Sequence, residues 1–313
     1  MSLPDRRSFL KAALGGAAGL SLPWLRAPAV AAAEHATPLA ATPLGENLTQ
    51  VSGLGGNVVV LAGPESLLLV DGGLAERCGD LLGFLGKTYP GRRVQHLFNT
   101  HWHWEHTGAN ERLARQGARI IAHENTKLWL GADVYIDWQD RSYLPRPREA
   151  WPTETFYDSG KLSFGNEEVV YGYLPRAHTD GDIYVLFPRA NVLIAGCVLS
   201  VGSYPILDYT TGGWIGGMVD AARTLLKLCN SETRIVPGVG PVQTHADLQA
   251  EHDMLASMKD RLISLMKKGY GIDDWVAEPP TREFDAKWGD PKQFLVNAYH
   301  GLWGHVRELG GIV

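Results

Sequence analysis

Two apolar runs, residues 58–61 and 67–70, have no polar interruption, and each is bounded by turn-forming residues. Runs of this length and composition predict short strands buried on both faces. The second run ends in Asp71-Gly72-Gly73, a turn opening onto a helical pattern over residues 74–89. A third predicted strand, residues 94–98, runs directly into Asn99-Thr100-His101. Residues 133–157 are rich in aromatics and proline and have no clear period; strands then return at 168–173, 183–187 and 192–195. Helical periodicity covers residues 215–228, 246–268 and 291–309. No repeat of the 20 to 50 residues typical of solenoids is present. The order strands, helices, strands, helices places the chain in the α/β class and suits a pseudo-duplicated β-sandwich flanked by helices.

Two segments of different character precede the fold. Residues 34–47 are mostly Ala, Thr and Pro and read as a linker or extended arm, so the folded domain is expected over 48–313. Ahead of them, Asp5-Arg6-Arg7-Ser8-Phe9-Leu10-Lys11 precedes an uncharged stretch from Ala12 to Leu25, and small residues run to Ala33. A charged head, an apolar middle and a small-residue cleavage site are the parts of a secretory signal. The apolar middle is interrupted by Gly15, Gly16, Gly19 and Pro23 and falls short of the roughly 20 residues a spanning helix needs, so cleavage is expected and no membrane anchor remains. The paired arginines before Phe9-Leu10-Lys11 resemble the twin-arginine export signal, which implies a periplasmic protein exported already folded.

The chain has 313 residues, 45% of them hydrophobic and 20% charged, ample for a globular core. Its formal charge of −5 becomes −8 when residues 1–33, with Arg6, Arg7, Lys11 and Arg26 against Asp5, are removed. The chain has no basic excess with which to neutralise phosphates, so nucleic acid is not an expected partner and a small molecule is. All three cysteines, Cys78, Cys197 and Cys229, survive that cut, and the odd number leaves at least one thiol unpaired. Cys78 and Cys229 fall in helical patterns and are either core residues or partners of each other.

Chemistry concentrates after the third strand. His101-Trp102-His103-Trp104-Glu105-His106 places three imidazoles and a carboxylate within six residues. A loop leaving a strand can turn alternate side chains toward one point, and imidazole and carboxylate are zinc ligands. Farther along, Arg176-Ala177-His178-Thr179-Asp180-Gly181-Asp182 supplies another histidine in a polar turn, and the apolar strand 192–195 delivers Cys197 at its end. His178 lies 77 residues after His101, Cys197 a further 19, and Val239, within Pro237-Gly238-Val239-Gly240-Pro241, 42 beyond that.

In order and spacing these segments resemble the metallo-β-lactamase superfamily, whose hallmark is His-x-His-x-Asp-His, then a distant His, an Asp or Cys after an apolar strand, and a final His in a Pro-Gly-His-Gly turn. The resemblance covers residues 48–245 and implies the αβ/βα four-layer sandwich with a metal site at one edge. It implies a first zinc site of His101, His103 and His178, with a position left for water, and a second site drawn from Glu105, His106 and Cys197. Glu105 stands where the family has Asp, and Val239 stands where it has the last His and cannot ligate. One or two zinc ions are therefore expected, with His245 as a possible substitute ligand. Asp71 matches a position that supports the ligand loop; the alternative is a surface turn.

The implied activity is hydrolysis of an ester, thioester, lactone or lactam, with Glu105 as the catalytic residue that orients water or acts as general base or acid. The alternative is a non-hydrolytic, degenerate metal-binding accessory protein of a periplasmic redox or sulfur-oxidation system, for which a protein partner is expected. Tyr204, Tyr209 and Trp214 are candidates for a substrate-covering wall, or for packing under long loops.

Overall fold

The computed structural model describes residues 37–308, so the signal segment 1–33 and the end of the last predicted helix lie outside the described residues. Leu67, Leu68, Leu69 and Val70 show why two sheets pair. In β4 (Ser66–Val70), Leu68 and Val70 point into a cluster shared with the second sheet, while Leu67 and Leu69 point the other way, onto helices. β13 (Val192–Gly196) mirrors it: Val192 and Ile194 face the first sheet, and Leu193 and Ala195 face a separate helical layer. Strands covered on both faces carry no polar alternation, which is why these segments read as unbroken apolar runs.

The first sheet has seven strands. Its first members are β1 (Ala40–Pro43), β2 (Leu48–Leu54) and β3 (Gly56–Ala62), followed by β4, β5 (Arg93–Phe98), β6 (Arg119–His123) and β9 (Glu154–Phe156). It begins antiparallel and becomes parallel from β4 onward. The second sheet joins β10 (Ser159–Phe164), β11 (Glu167–Tyr173), β12 (Ile183–Phe187), β13 and β14 (Arg234–Pro237), antiparallel except for the parallel β13–β14 pair. α1 (Cys78–Thr88) and α3 (Asn110–Arg115) cover the outside of the first sheet. Across the molecule, α5 (Ile215–Leu228), α6 (His245–Lys267), α7 (Ile272–Ala277) and α9 (Lys292–Glu308) cover the second. Helix, sheet, sheet, helix is the αβ/βα sandwich expected.

Several details differ from the sequence reading. Residues 40–43, read as linker or arm, form β1 and pair with residues 49–52, so the sheet starts ahead of Leu48. The extended arm is an edge strand because its backbone finds the free edge of β2. Cys78 and Cys229 are both free thiols; Cys78 packs beneath the first sheet's helices and Cys229 against those of the second, on opposite outer layers. Short elements escaped detection: β6, β14, α2 (Trp104–Thr107) and α4 (Glu124–Leu130) span four to seven residues, too few to display a period.

The aromatic stretch forms a small domain-edge cluster of its own. Trp102, Leu130, Val134, Ile136 and Tyr143 are buried together, with Trp104, Trp129, Trp138 and Trp151 packed around them. The hairpin of β7 (Val134–Ile136) and β8 (Arg141–Tyr143) lies within it. Among the described residues, no helix is long and apolar enough to cross a membrane.

Candidate metal centre

The first donor loop leaves β5 at Phe98 and is held from below by Asp71. This residue adopts a left-handed backbone (φ 63°) at the end of β4, with its carboxylate buried. Oδ1 accepts from the Thr100 backbone N–H at 2.7 Å, and Oδ2 accepts from the Thr100 hydroxyl at 2.8 Å and lies 2.9 Å from His106 Nδ1. Asp71 therefore supports the ligand loop and is not a surface turn. Asn99 and Asn110 exchange side-chain hydrogen bonds at 3.0 and 2.8 Å and tie the start of the loop to α3. The alternation of the motif separates its side chains: Trp102 is 1% exposed and anchors in the aromatic cluster, where its Nε1–H donates to Thr211 Oγ1, while His101 and His103 turn to the opposite side.

His101, His103 and His178 form one group, with one ligating atom from each lying within 4.8 Å of the others; all three are buried. His178 Nε2 lies 3.1 Å from His103 Nδ1. Each ring has its remaining nitrogen engaged elsewhere: His103 Nε2 contacts Asp208 Oδ2 at 3.0 Å, His178 Nδ1 contacts the Ile206 carbonyl at 2.7 Å, and His101 Nδ1 contacts Thr100 Oγ1 at 3.1 Å. His101 Nε2 is buried and has no protein partner. An orphaned imidazole nitrogen beside two others whose rings are fixed from behind is the arrangement a metal ligand set requires.

Electrostatics divide the set. Burial and the neighbouring His106, His103 and His178 rings hold His101 well below the ordinary imidazole pKa. Burial and the charge of His103 also lower His178. For His103, burial opposes charge, but the Asp208 hydrogen bond and the Glu105 carboxylate outweigh it and raise the ring. Neutral imidazoles with an unshared pair are the form a metal takes.

A second group joins His101, His106 and the Cys197 thiol, again within 4.8 Å. His106 Nε2 lies 3.4 Å from Cys197 Sγ, with Asp71 at the far nitrogen. Cys197 reaches this point because β13 ends in Gly196 at φ 57°, where a side chain would also crowd Thr100. Gly238 completes the cradle: a Cβ there would stand 2.5 Å from Cys197 Sγ. Burial pushes the Cys197 thiol up, with His106 pulling against it.

Not all of the expected ligands join these groups. Glu105 belongs to neither; its carboxylate, 38% exposed, lies 3.8 Å from His103 Nδ1 and faces an open cleft. Burial raises its carboxyl and the charges of His103 and His106 pull it below the usual range. The α2 turn that carries Glu105 also carries His106, so the two side chains leave in different directions and only the imidazole reaches Cys197. Val239 is 47% exposed and lines the same cleft, and His245 opens α6 behind a Thr244 cap, in neither donor group.

That cleft has a volume of about 350 Å³, and Trp138, Ser200, Ser203 and Tyr204 also border it. Tyr204 reaches it from a largely buried position, with its hydroxyl donating to Asp285. Tyr209 and Trp214 do not line it; they stack on His300 and His305 of α9. The functional contact missed from sequence is Asp208, a lone aspartate in Ile206-Leu207-Asp208-Tyr209 with no motif around it.

The model of the metallo-beta-lactamase superfamily matches residues 51–265, more than half of the chain. The type 2 metallo-beta-lactamase of Bacillus cereus is 23% identical over 200 residues, 64% of this chain and 72% of that protein. Metallo-beta-lactamase IND-1 of Chryseobacterium indologenes is 27% identical over 108 residues, 34% of this chain and only 45% of its own length. Among solved structures, the inverting sec-alkylsulfatase Pisa1 from a Pseudomonas species superposes with a TM-score of 0.64 at 15% identity, covering 88% of this chain and 55% of that one. Fold, donor geometry and family model agree: the chain belongs to the metallo-beta-lactamase superfamily.

Proposed function

We propose that this protein is a zinc-dependent hydrolase of the periplasm, exported by the twin-arginine pathway and left without a membrane anchor once its signal is cleaved. The observation that carries the reading is the set His101, His103 and His178, with Nε2 of His101 unpartnered and the other rings fixed by Asp208 and the Ile206 carbonyl. These three would hold the first ion, and His106 with Cys197 would help hold a second. Zinc at such a site supplies Lewis acidity, polarising a carbonyl and lowering the pKa of water from about 15.7 to about 7.

The protein's own groups complete the chemistry. Glu105, beside His103 and open to the cleft, accepts a proton from the attacking water and returns it to the leaving group. Thr100 and Asp71 fix the loop, so the imidazoles cost no reorganisation when substrate enters. The substrate is a small ester, thioester, lactone or lactam, and these four classes make up the panel to be assayed.

Val239 favours a second reading, a metal-binding accessory protein that binds a redox or sulfur-oxidation partner without hydrolysis, because it removes one ligand position of the second site. Zinc content by mass spectrometry, measured for the mature protein and a Cys197→Ala variant, tests the metal site, and turnover separates the cases, since bound zinc without turnover favours the accessory protein. Two zinc falling to one, together with turnover of any panel substrate, supports the hydrolase; no bound zinc overturns it. Export is tested by changing Arg6 and Arg7 to lysine, with retention in the cytoplasm expected.

A further inference from the structure

Resting on the hydrolase reading, we propose that the cleft selects substrates whose acyl side is uncharged and apolar, and rejects those bearing a carboxylate or sulfate on that side. The described residues that line the cleft include no lysine or arginine. Apart from the histidines, the one charged side chain in that lining is Glu105, an anion that repels another. The cations packed against the neighbouring aromatic cluster are absent from the lining: Arg141 lies over the Tyr143 and Trp104 rings at 4.7 and 5.4 Å, Arg146 over Trp104 at 5.2 Å and Arg148 over Trp151 at 5.8 Å.

What the wall offers instead is apolar surface. Ile206 and Val239 are 42% and 47% exposed, large apolar side chains left in water beside the donor group. Both are fixed in place. The Ile206 carbonyl holds His178 at 2.7 Å, so the backbone that presents its side chain is tied to a donor ring. Val239 sits between Pro237 and Gly240, whose carbonyls both accept from the buried Asn57 amide at 2.9 and 2.8 Å; Gln50 also donates to Gly240 at 3.0 Å. Facing it, the Ser200 backbone N–H is held by the buried Glu251 carboxylate at 2.9 Å. An apolar rim that loses its hydration when an acyl chain covers it is a specificity element, and segments 199–206 and 237–241, which present it, carry no cation to accept an anion.

The test uses two matched pairs. N-(4-nitrophenyl)valeramide and N-(4-nitrophenyl)glutaramic acid, amides that differ by a methyl and a carboxylate, are titrated against the full-length mature protein by tryptophan fluorescence quenching, metal-free and zinc-loaded. 4-Nitrophenyl valerate and glutarate are assayed with the zinc-loaded protein. The neutral amide is expected to bind metal-free protein at least tenfold more tightly, and the neutral ester to show at least tenfold higher kcat/KM. Equal or tighter binding of the carboxylate to the metal-free protein overturns the proposal. Val239→Lys, a change at an exposed position, is expected to shift the amide preference at least tenfold toward the acid; an unchanged ratio removes Val239 from the acyl wall and overturns the assignment. If neither these esters nor any thioester, lactone or lactam of the panel is cleaved, the hydrolase reading fails by itself, while the amide ratio still decides the charge preference.

Discussion

Asp208 Oδ2 lies 3.0 Å from Nε2 of His103, a residue 105 positions earlier, and the same oxygen accepts from the Thr211 hydroxyl at 2.6 Å. The contact decides which nitrogen of His103 faces His101 and His178. With Nε2 occupied, Nδ1 is left for the donor group, 3.1 Å from His178 Nε2. A buried carboxylate behind an imidazole also makes that ring a stronger donor.

Replacing Asp208 with Ala should therefore weaken zinc binding by about 10–100-fold without removing a donor atom. Competition with a chromophoric chelator measures this, and an unchanged affinity would show that the orientation of His103 does not depend on Asp208.

Val239→His tests the incomplete second group from the other side. Val239 is exposed at the cleft wall, so an imidazole there meets no packing obstacle. The second zinc ion should be held more tightly than in the wild type, measured by competition with a chelator, and an unchanged affinity would show that position 239 does not reach the His106 and Cys197 group.

Asp71 links stability to the site. Asp71→Ala leaves the Thr100 N–H and the His106 ring without their acceptor in a buried setting, at about 1–3 kcal/mol for each orphaned group. Denaturant unfolding should report a loss on the order of 2–6 kcal/mol. A surface-like effect below about 0.5 kcal/mol would contradict the buttressing role.

Glu251 makes the fold sensitive to alkali. Burial pushes its carboxyl up to about 8, against the pull of the Ser200 hydrogen bonds. A carboxyl with a raised folded-state pKa holds its proton more tightly folded than unfolded. Its stabilising contribution is thus full below the ordinary value of 4.5 and is lost as pH rises through about 8. Between pH 6 and 9 the wild type should lose about 2–3 kcal/mol more than Glu251→Gln, which keeps an acceptor for Ser200 but cannot ionise. Parallel urea curves for the two proteins across that range would refute the assignment.

The long elements were readable because their faces are uniform. Residues 215–228 carry an amphipathic period and form α5 with those bounds, and the apolar runs at 67–70 and 192–195 lie within β4 and β13. The donors were readable for a different reason: an imidazole is chemically distinctive wherever it stands, so His101, His103, His106, His178 and Cys197 stood out by type and spacing. Aspartate is common and serves in turns, caps and salt bridges, so nothing in its own neighbourhood separated Asp208 from other surface-type carboxylates.

Sequence by itself determined the α/β class and which residues have donor atoms, and the motif resemblance implied the layered sandwich, since burial pattern and ligand chemistry are properties of individual residues and their near neighbours. Tertiary structure alone decided that β1 completes the first sheet, that Cys78 and Cys229 lie in opposite outer layers, and that Glu105 opens onto the cleft. It also decided that Asp208 and the Ile206 carbonyl set the rings. Those outcomes depend on distances between segments far apart in the chain, and such distances exist only once the two sheets have closed on each other.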